Sequence, residues 1–374
     1  MARFNKLSEL ALTTGLYDID EMTTVRTLLL KDNRASEFDD GLADFTSLTS
    51  LDCSGIPIAS GACLPPNLTG LMLNGCFITS DLLYSLDGPK LRSLSMAFCN
   101  LGSIPKLSPS AFPRLCNLDL AGNDLCDLDS LCTELSGLDS LTALVLEGNP
   151  IMLLPSYRGR VSSILPLTTL DEVPITESDT SLPGSSSNAV TLQVIIESIT
   201  GVPASVLEHG WTEVSLIGTT ASAPLSDPQP EPEAVVPVKG KKGGGAKKGV
   251  EEPPAPSVPV VPKRTLDLSL HVSVALRDAV LFNGMQVRIC TPQDPDCIDE
   301  GFTVVSEATV PLRSFAESAS RLGAIHELLQ MKLAPEFAQK NREADTEEEG
   351  QTDPVLKMSL ILNPTTNEEE KDAN

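Results

Sequence analysis

A nine-residue pattern recurs six times before residue 150, and it constrains the fold more than any other feature of the chain. Written L-x-x-L-x-L-x-x-N/C, it reads VRTLLLKDN, LTSLDCSGI, LTGLMLNGC, LRSLSMAFC, LCNLDLAGN and LTALVLEGN, starting at Val25, Leu48, Leu68, Leu91, Leu115 and Leu141. Successive starts are 23, 20, 23, 24 and 26 residues apart. A unit this short cannot bury its own apolar face. It is stable only when stacked on its copies, which share one continuous core.

The spacing is that of a leucine-rich repeat, so the expected architecture is an α/β leucine-rich-repeat solenoid over residues 25–175. The leucines point inward and pack on their copies, while the alternating residues face out along a short parallel sheet. The last position turns the chain and must satisfy backbone groups inside the turn. Asn33, Asn123 and Asn149 fill it directly, with Cys76 and Cys99 as accepted substitutes. The second repeat departs from the pattern, with Cys53 at a leucine position and Ile56 at the turn. A bare solenoid end exposes its core and needs a cap. Residues 1–24 are expected to form the N-terminal cap, and NPIMLLPSYRGRVSSILPLTTLDEV at 149–173 the C-terminal one.

Beyond the cap the pattern changes period. Residues 176–188 (TESDTSLPGSSSN) read as a linker. Strand-like runs come next at 189–200, 211–217, 265–276, 285–290, 302–311 and 355–362, and residues 322–333 read as a helix. Several short strands predict an antiparallel β-sandwich over 189–218 and 265–363, similar to the C2 type. Residues 219–264, rich in Pro, Ala, Val and Glu, are expected to be a disordered insertion, and 364–374 an acidic tail.

Composition narrows the function classes. Aromatic residues are only 4% of the chain against 41% hydrophobic, as a core of identical small layers requires. The formal charge of −24 argues against a nucleic-acid partner, whose phosphates such a surface repels. The opening MARFNKLSELALTTGLYDID carries charges throughout and has no apolar core, so no secretion signal and no membrane span are expected. The nine cysteines are then expected to be reduced thiols.

The repeats and the segment after them resemble one family, the leucine-rich-repeat-containing protein forty-three of motile cilia. The resemblance is carried by LPPNLTGLMLNG at 64–75, FPRLCNLDLAGNDLCDLDSL at 112–131, LVLEGNPIMLLPSYRG at 144–159, the pair Leu170-Asp171 and VTLQVIIESITGV at 190–202. It covers residues 25–205 well and the rest weakly; the family has more sequence before its first repeat than the 24 residues here. The resemblance implies a non-catalytic component of the ciliary axoneme, with dynein, radial-spoke or tubulin-associated partners. Tyr157 and Arg158 match the cap of intracellular leucine-rich-repeat proteins. A soluble regulator of a phosphatase or signalling complex is the alternative reading.

No residue set points to catalysis, a cofactor or a metal. His209, His271 and His326 stand apart from any nucleophile motif. Cys126 and Cys132, or Cys290 and Cys297, are spaced too widely for a zinc knuckle. Asp294, Asp296 and Asp299 resemble part of a calcium loop, but the loop at 201–210 adds only Glu208, and calcium needs six to eight oxygens. The glycine-spaced Lys239, Lys241, Lys242, Lys247 and Lys248 read as solvated linker, or as a contact for an acidic partner. The sharpest candidate is the concave sheet face. Its central column is Leu29, Asp52, Met72, Ser95, Asp119 and Val145, and the next is Lys31, Ser54, Asn74, Ala97, Ala121 and Glu147. Small side chains with Leu29, Met72 and Val145 as anchors suit a partner helix or loop.

Overall fold

Each repeat folds its L-x-L core into a three-residue strand. These are β1 (Thr27–Leu29), β2 (Ser50–Asp52), β3 (Gly70–Met72), β4 (Ser93–Ser95), β5 (Asn117–Asp119) and β6 (Ala143–Val145). The computed structural model describes residues 22–30, 38–58, 64–104, 107–155, 157–180, 189–226, 263–294, 297–313, 325–334 and 354–364. The strands pair in parallel in chain order, with Leu28, Leu51, Leu71, Leu94, Leu118 and Leu144 in register. All six are at most 1% exposed. Burying each stabilises the stack by about 1.5–3 kcal/mol relative to exposure. On the convex side Thr79 caps the helix Ser80–Ser85 and Asp127 caps Leu128–Leu135, each by accepting backbone N–H groups of the first turn.

At the C-terminal end the sheet closes on a hairpin. Strand β7 (Thr169–Leu170) runs parallel to β6, and β8 (Val173–Pro174) turns back antiparallel on it. Asp171 and Glu172, both at positive φ (52° and 62°), form the two-residue turn between them. Arg158 straps the hairpin, donating to the carbonyls of Leu170 (2.9 Å) and Pro174 (3.3 Å) and to Asp179 Oδ1 (3.2 Å). Tyr157 is buried, and Arg160 pairs with Asp129 of the neighbouring convex helix. Asp179 sits on a short helix, Glu177–Thr180, so the chain expected to begin a linker at 176 is still part of the cap. Residues 181–188 lie outside the described residues, as do most of 1–24.

Asp171 completes the sheet in another way. In each earlier repeat the N–H of the third core position donates to the next strand, as Leu120 does to Val145 O at 2.9 Å. After β6 the next strand, β7, already turns at Asp171, and the Leu146 N–H donates instead to the Asp171 side chain, Oδ1 at 2.7 Å. Burial lifts this carboxyl from 3.8 to about 6, against the Leu146 N–H and helped by the nearby Glu147 charge. The folded chain therefore holds this proton more tightly than the unfolded one. The stabilisation is complete below pH about 4 and is lost as pH rises through about 6. Asp171→Asn keeps an oxygen for the Leu146 N–H and removes the charge. The variant is expected to be about 1–2 kcal/mol more stable than the parent at pH 7 and level with it near pH 4. Urea melts at the two pH values check this, and parallel pH profiles for the two proteins would refute it.

The C-terminal half forms two antiparallel sheets. The strands are β9 (Ala189–Thr200), β10 (Trp211–Leu216), β11 (Thr219–Pro224), β12 (Arg264–His271), β13 (Met285–Asp294), β14 (Cys297–Val310), β15 (Ile325–Gln330), β16 (Lys332–Leu333) and β17 (Val355–Pro364). One sheet has the order β11-β10-β13-β14-β16 and the other β12-β9-β17-β15. Strict alternation puts Val190, Leu192, Val194 and Ile196 of β9 in the core.

Three expectations need correction here. Residues 219–224, expected within the insertion, form β11, because Ile217 and Gly218 at positive φ (51° and 75°) make a tight hairpin with β10. The apolar alternation of 265–276 does not continue as one strand. It stops at His271, where Ser273 accepts the Leu276 N–H (3.2 Å) and starts the helix Val274–Asp278. Ile325–Gln330, expected to be helical, pairs along β17, whose edge offers backbone partners that outweigh local helix preference. Residues 227–262, with the lysine run, and 365–374 lie outside the described residues.

The halves are joined by packing. Leu153, from the 3-10 turn Pro150–Leu153 of the solenoid cap, reaches a void of about 20 Å³ walled by Leu192, Leu216, Leu270, Leu276, Val280, Leu312 and Leu362. Those residues come from both sheets and the segments between them, so a solenoid side chain closes the end of the β core. Arg277 adds a polar clamp, donating from Nη1 to Asn123 O (2.8 Å) and Asp124 Oδ1 (2.8 Å) and from Nε to Asp278 Oδ1 (3.0 Å). Among the described residues no helix is long and apolar enough to cross a membrane.

Candidate concave interaction face

The parallel register aligns Leu29, Asp52, Met72, Ser95, Asp119 and Val145 as one column across six strands. Neighbouring strands lie about 5 Å apart, so the column is a ladder roughly 25 Å long. Leu29 (60%) and Met72 (41%) are exposed, and Val145 is half-buried. Between the apolar ends lies a polar centre. Ser95 Oγ is 2.6 Å from Asn74 Oδ1 and 2.7 Å from Asp119 Oδ2, and its single proton serves one of them at a time. Asn74 Oδ1 also accepts the Ala97 N–H at 2.9 Å.

Two residues of the face differ from the sequence expectation. Asp52 is buried, its carboxylate turned back to accept the Ser54 N–H at 3.0 Å. Ala97 is also buried. Asp119 makes the same local turn with the Ala121 N–H (3.0 Å) but stays half-buried. Ser54, Asn74 and Ala121 are half-buried and Glu147 is exposed. Lys31 and Asn33 lie outside the described residues.

The turn ladder shows why asparagine suits its position. Asn123 Oδ1 accepts the N–H groups of Cys99 (2.9 Å) and Leu101 (3.1 Å), and its amide donates to Met96 O (2.9 Å) and Leu120 O (2.8 Å). Asn149 accepts from Leu125 and donates to Leu120 and Leu146. A cysteine performs only the donating half: Cys76 Sγ reaches Cys53 O (3.2 Å) and Cys99 Sγ reaches Leu73 O (3.1 Å). Burial pushes the Cys99 thiol up to about 11, so it stays protonated and able to donate. Ile56 interrupts the ladder in the second repeat.

Beside the ladder runs a column that sequence reasoning passed over. The position before the turn residue is Gly55, Gly75, Phe98, Gly122 and Gly148, all at positive φ between 57° and 78°. Glycine adopts that region freely, whereas a bulky L-residue there is strained. Phe98 is nonetheless 67% exposed, and its ring lies over the bare Cα of Gly122, where an added Cβ would come within 2.3 Å of it. The signal was present in LRSLSMAFC, the one repeat of the last five with an aromatic before the turn residue.

The histidines do not converge on this face. His209 ends the helix Ala204–His209, His271 ends β12 and His326 is on β15. Asp294 and Asp299 fall on β13 and β14, and Asp296 lies outside the described residues. The half-buried Cys126 and buried Cys132 lie on the convex side, and Cys290 is buried in β13.

Over 182 residues, 46% of its length, the chain is 34% identical to leucine-rich repeat-containing protein 43 of Mus musculus and 33% identical to that of Homo sapiens. This is the family its repeat motifs resemble. The chain spans about a quarter of those relatives' length, 27% and 28%. No family model matches it. Among solved structures, the Drosophila melanogaster SNF/U2A′ complex aligns at 24% identity over 41% of this chain and 76% of that one, with a TM-score of 0.29. An internalin of Listeria monocytogenes aligns at 19% over 44% of each chain, with a TM-score of 0.27.

Proposed function

We propose that this chain is a non-catalytic docking protein that holds a protein partner on its concave face, as a scaffold of the motile-cilium axoneme. The observation that carries the docking role is the aligned column itself, a ladder of fixed spacing with apolar anchors at Leu29, Met72 and Val145 around a polar centre. The axonemal place follows from the resemblance to leucine-rich repeat-containing protein 43. In this reading the C-terminal half is a C2-like sandwich that braces the solenoid, and no cofactor takes part.

Docking energy concentrates in a few central side chains. Met72→Asp combined with Val145→Lys is therefore expected to weaken partner capture at least about a hundredfold, on the order of 3 kcal/mol, without unfolding the repeats. Proximity labelling from the tagged chain in ciliated cells, followed by detergent extraction of isolated cilia, supplies the readout. Retention on axonemes, with capture lost in the double variant, supports the proposal. Undiminished capture refutes the concave site, and a detergent-soluble pool labelling phosphatase subunits favours the signalling alternative.

A further inference from the structure

The geometry points to a cationic protein segment as the occupant of this face, anchored by an arginine or lysine on the ring of Phe98. The inference rests on the concave-face reading and adds the chemistry of the partner and a residue outside the predicted columns.

Phe98 is the starting observation. Four of the five described positions in its column are glycine, the residue that adopts a positive φ without strain. The fourth repeat instead holds a bulky aromatic there and leaves it 67% exposed. Strain kept at a site that buries only the ring's contact with Gly122 is how a contact residue differs from a core residue. The ring lies against the Gly122 backbone on one side, which fixes its orientation. Its exposed surface is a π platform of the kind cations stack on.

Charge selects the occupant. Among the described residues of the central column, the adjacent column and the Phe98 column there is no lysine or arginine, whereas Asp119 and Glu147 carry carboxylates. Arg277, which lines a cleft of about 250 Å³ with Glu147, is already held by Asp124 and Asp278. A basic segment crossing the strands obliquely would meet Phe98 on the fourth repeat, Asp119 on the fifth and Glu147 on the sixth. An acidic segment would be repelled, as would a phosphate backbone or an anionic lipid surface.

The test uses the full chain at 0.15 M salt with fluorescent nona-arginine and nona-glutamate as probes, read by anisotropy. Nona-arginine is expected to bind and nona-glutamate not. Phe98→Gly is expected to weaken nona-arginine about tenfold while keeping or raising the melting temperature, because glycine relieves the positive φ. Asp119→Asn with Glu147→Gln is expected to weaken it similarly, and Tyr84→Ala, an exposed aromatic on the convex helix, to leave it unchanged. Equal binding by Phe98→Gly would overturn the inference, reducing the attraction to net charge. A fall in the melting temperature of Phe98→Gly would overturn it too, by showing that the ring is there for packing. Loss of cellular capture in the Met72→Asp, Val145→Lys variant but not in Phe98→Gly would leave the docking face standing and remove Phe98 from it. Undiminished capture in the double variant would remove the face itself.

Discussion

Asn123→Ala is expected to destabilise the solenoid by about 3–5 kcal/mol, whereas Cys99→Ala, one rung earlier, costs about 1 kcal/mol. Both positions do the same job, and the difference lies in how many backbone groups each leaves stranded. Asn123 is fully buried and serves two N–H donors, of Cys99 and Leu101, and two carbonyls, of Met96 and Leu120. Leu120 O keeps the Asn149 amide, but alanine leaves the two N–H groups and Met96 O in a core that water does not reach, and each buried unsatisfied group costs about 1–3 kcal/mol. Cys99 contributes one weak S–H donor to Leu73 O, which also accepts the Cys76 N–H, so its loss strands no backbone group and removes one weak bond and a small volume. Asn123→Cys should fall between the two, recovering the donating half and leaving the Cys99 and Leu101 N–H groups unserved. Urea melts of the three variants order them. Equal losses for Asn123→Ala and Cys99→Ala would mean that the accepting half contributes nothing.

That asymmetry also explains what the sequence makes readable. The ladder, the inward leucines and the cap are spelled out locally, because each repeat reports the same physical demand at the same offset. Period and register could therefore be read from the letters N, C and L alone. In the C-terminal half each strand's partners are distant in the chain. The alternation of 265–276 looked uniform, yet a single serine at 273 capped a helix and ended the strand. Ile325–Gln330 carried helix-like residues and became a strand because β17 offered an edge, which no local window shows. The candidate face divides along the same line. Its columns followed from the repeat, but the inward turn of Asp52 depended on the Ser54 N–H two residues on. Phe98 was visible as a break in a glycine column, and Arg277 carried no local sign of its contact with Asn123 and Asp124.

That long-range contact leads to the second large effect. Leu153→Ala, a substitution in the solenoid cap, is expected to destabilise the β half by about 3 kcal/mol, within the usual cost of a buried leucine. Leu153 is 4% exposed and walls one void together with Leu192, Leu216, Leu270 and Leu362 of four different strands. Removing it opens the end of that core, and residues held by two sheets relax only partly into the gap. Arg277→Ala should add a smaller loss by freeing Asp124 and the Asn123 carbonyl. The chain has one tryptophan, Trp211 in β10, with its ring 5.8 Å from that of Phe302, so its fluorescence reports on the β half alone. Far-UV circular dichroism reports on both halves. If the junction couples them, the two signals unfold together in the parent, and Leu153→Ala shifts the Trp211 midpoint as much as the dichroism midpoint. A Trp211 transition unmoved by Leu153→Ala would mean that the halves fold independently and that the β half braces nothing. The concave face would then owe its shape to the repeats and their own cap.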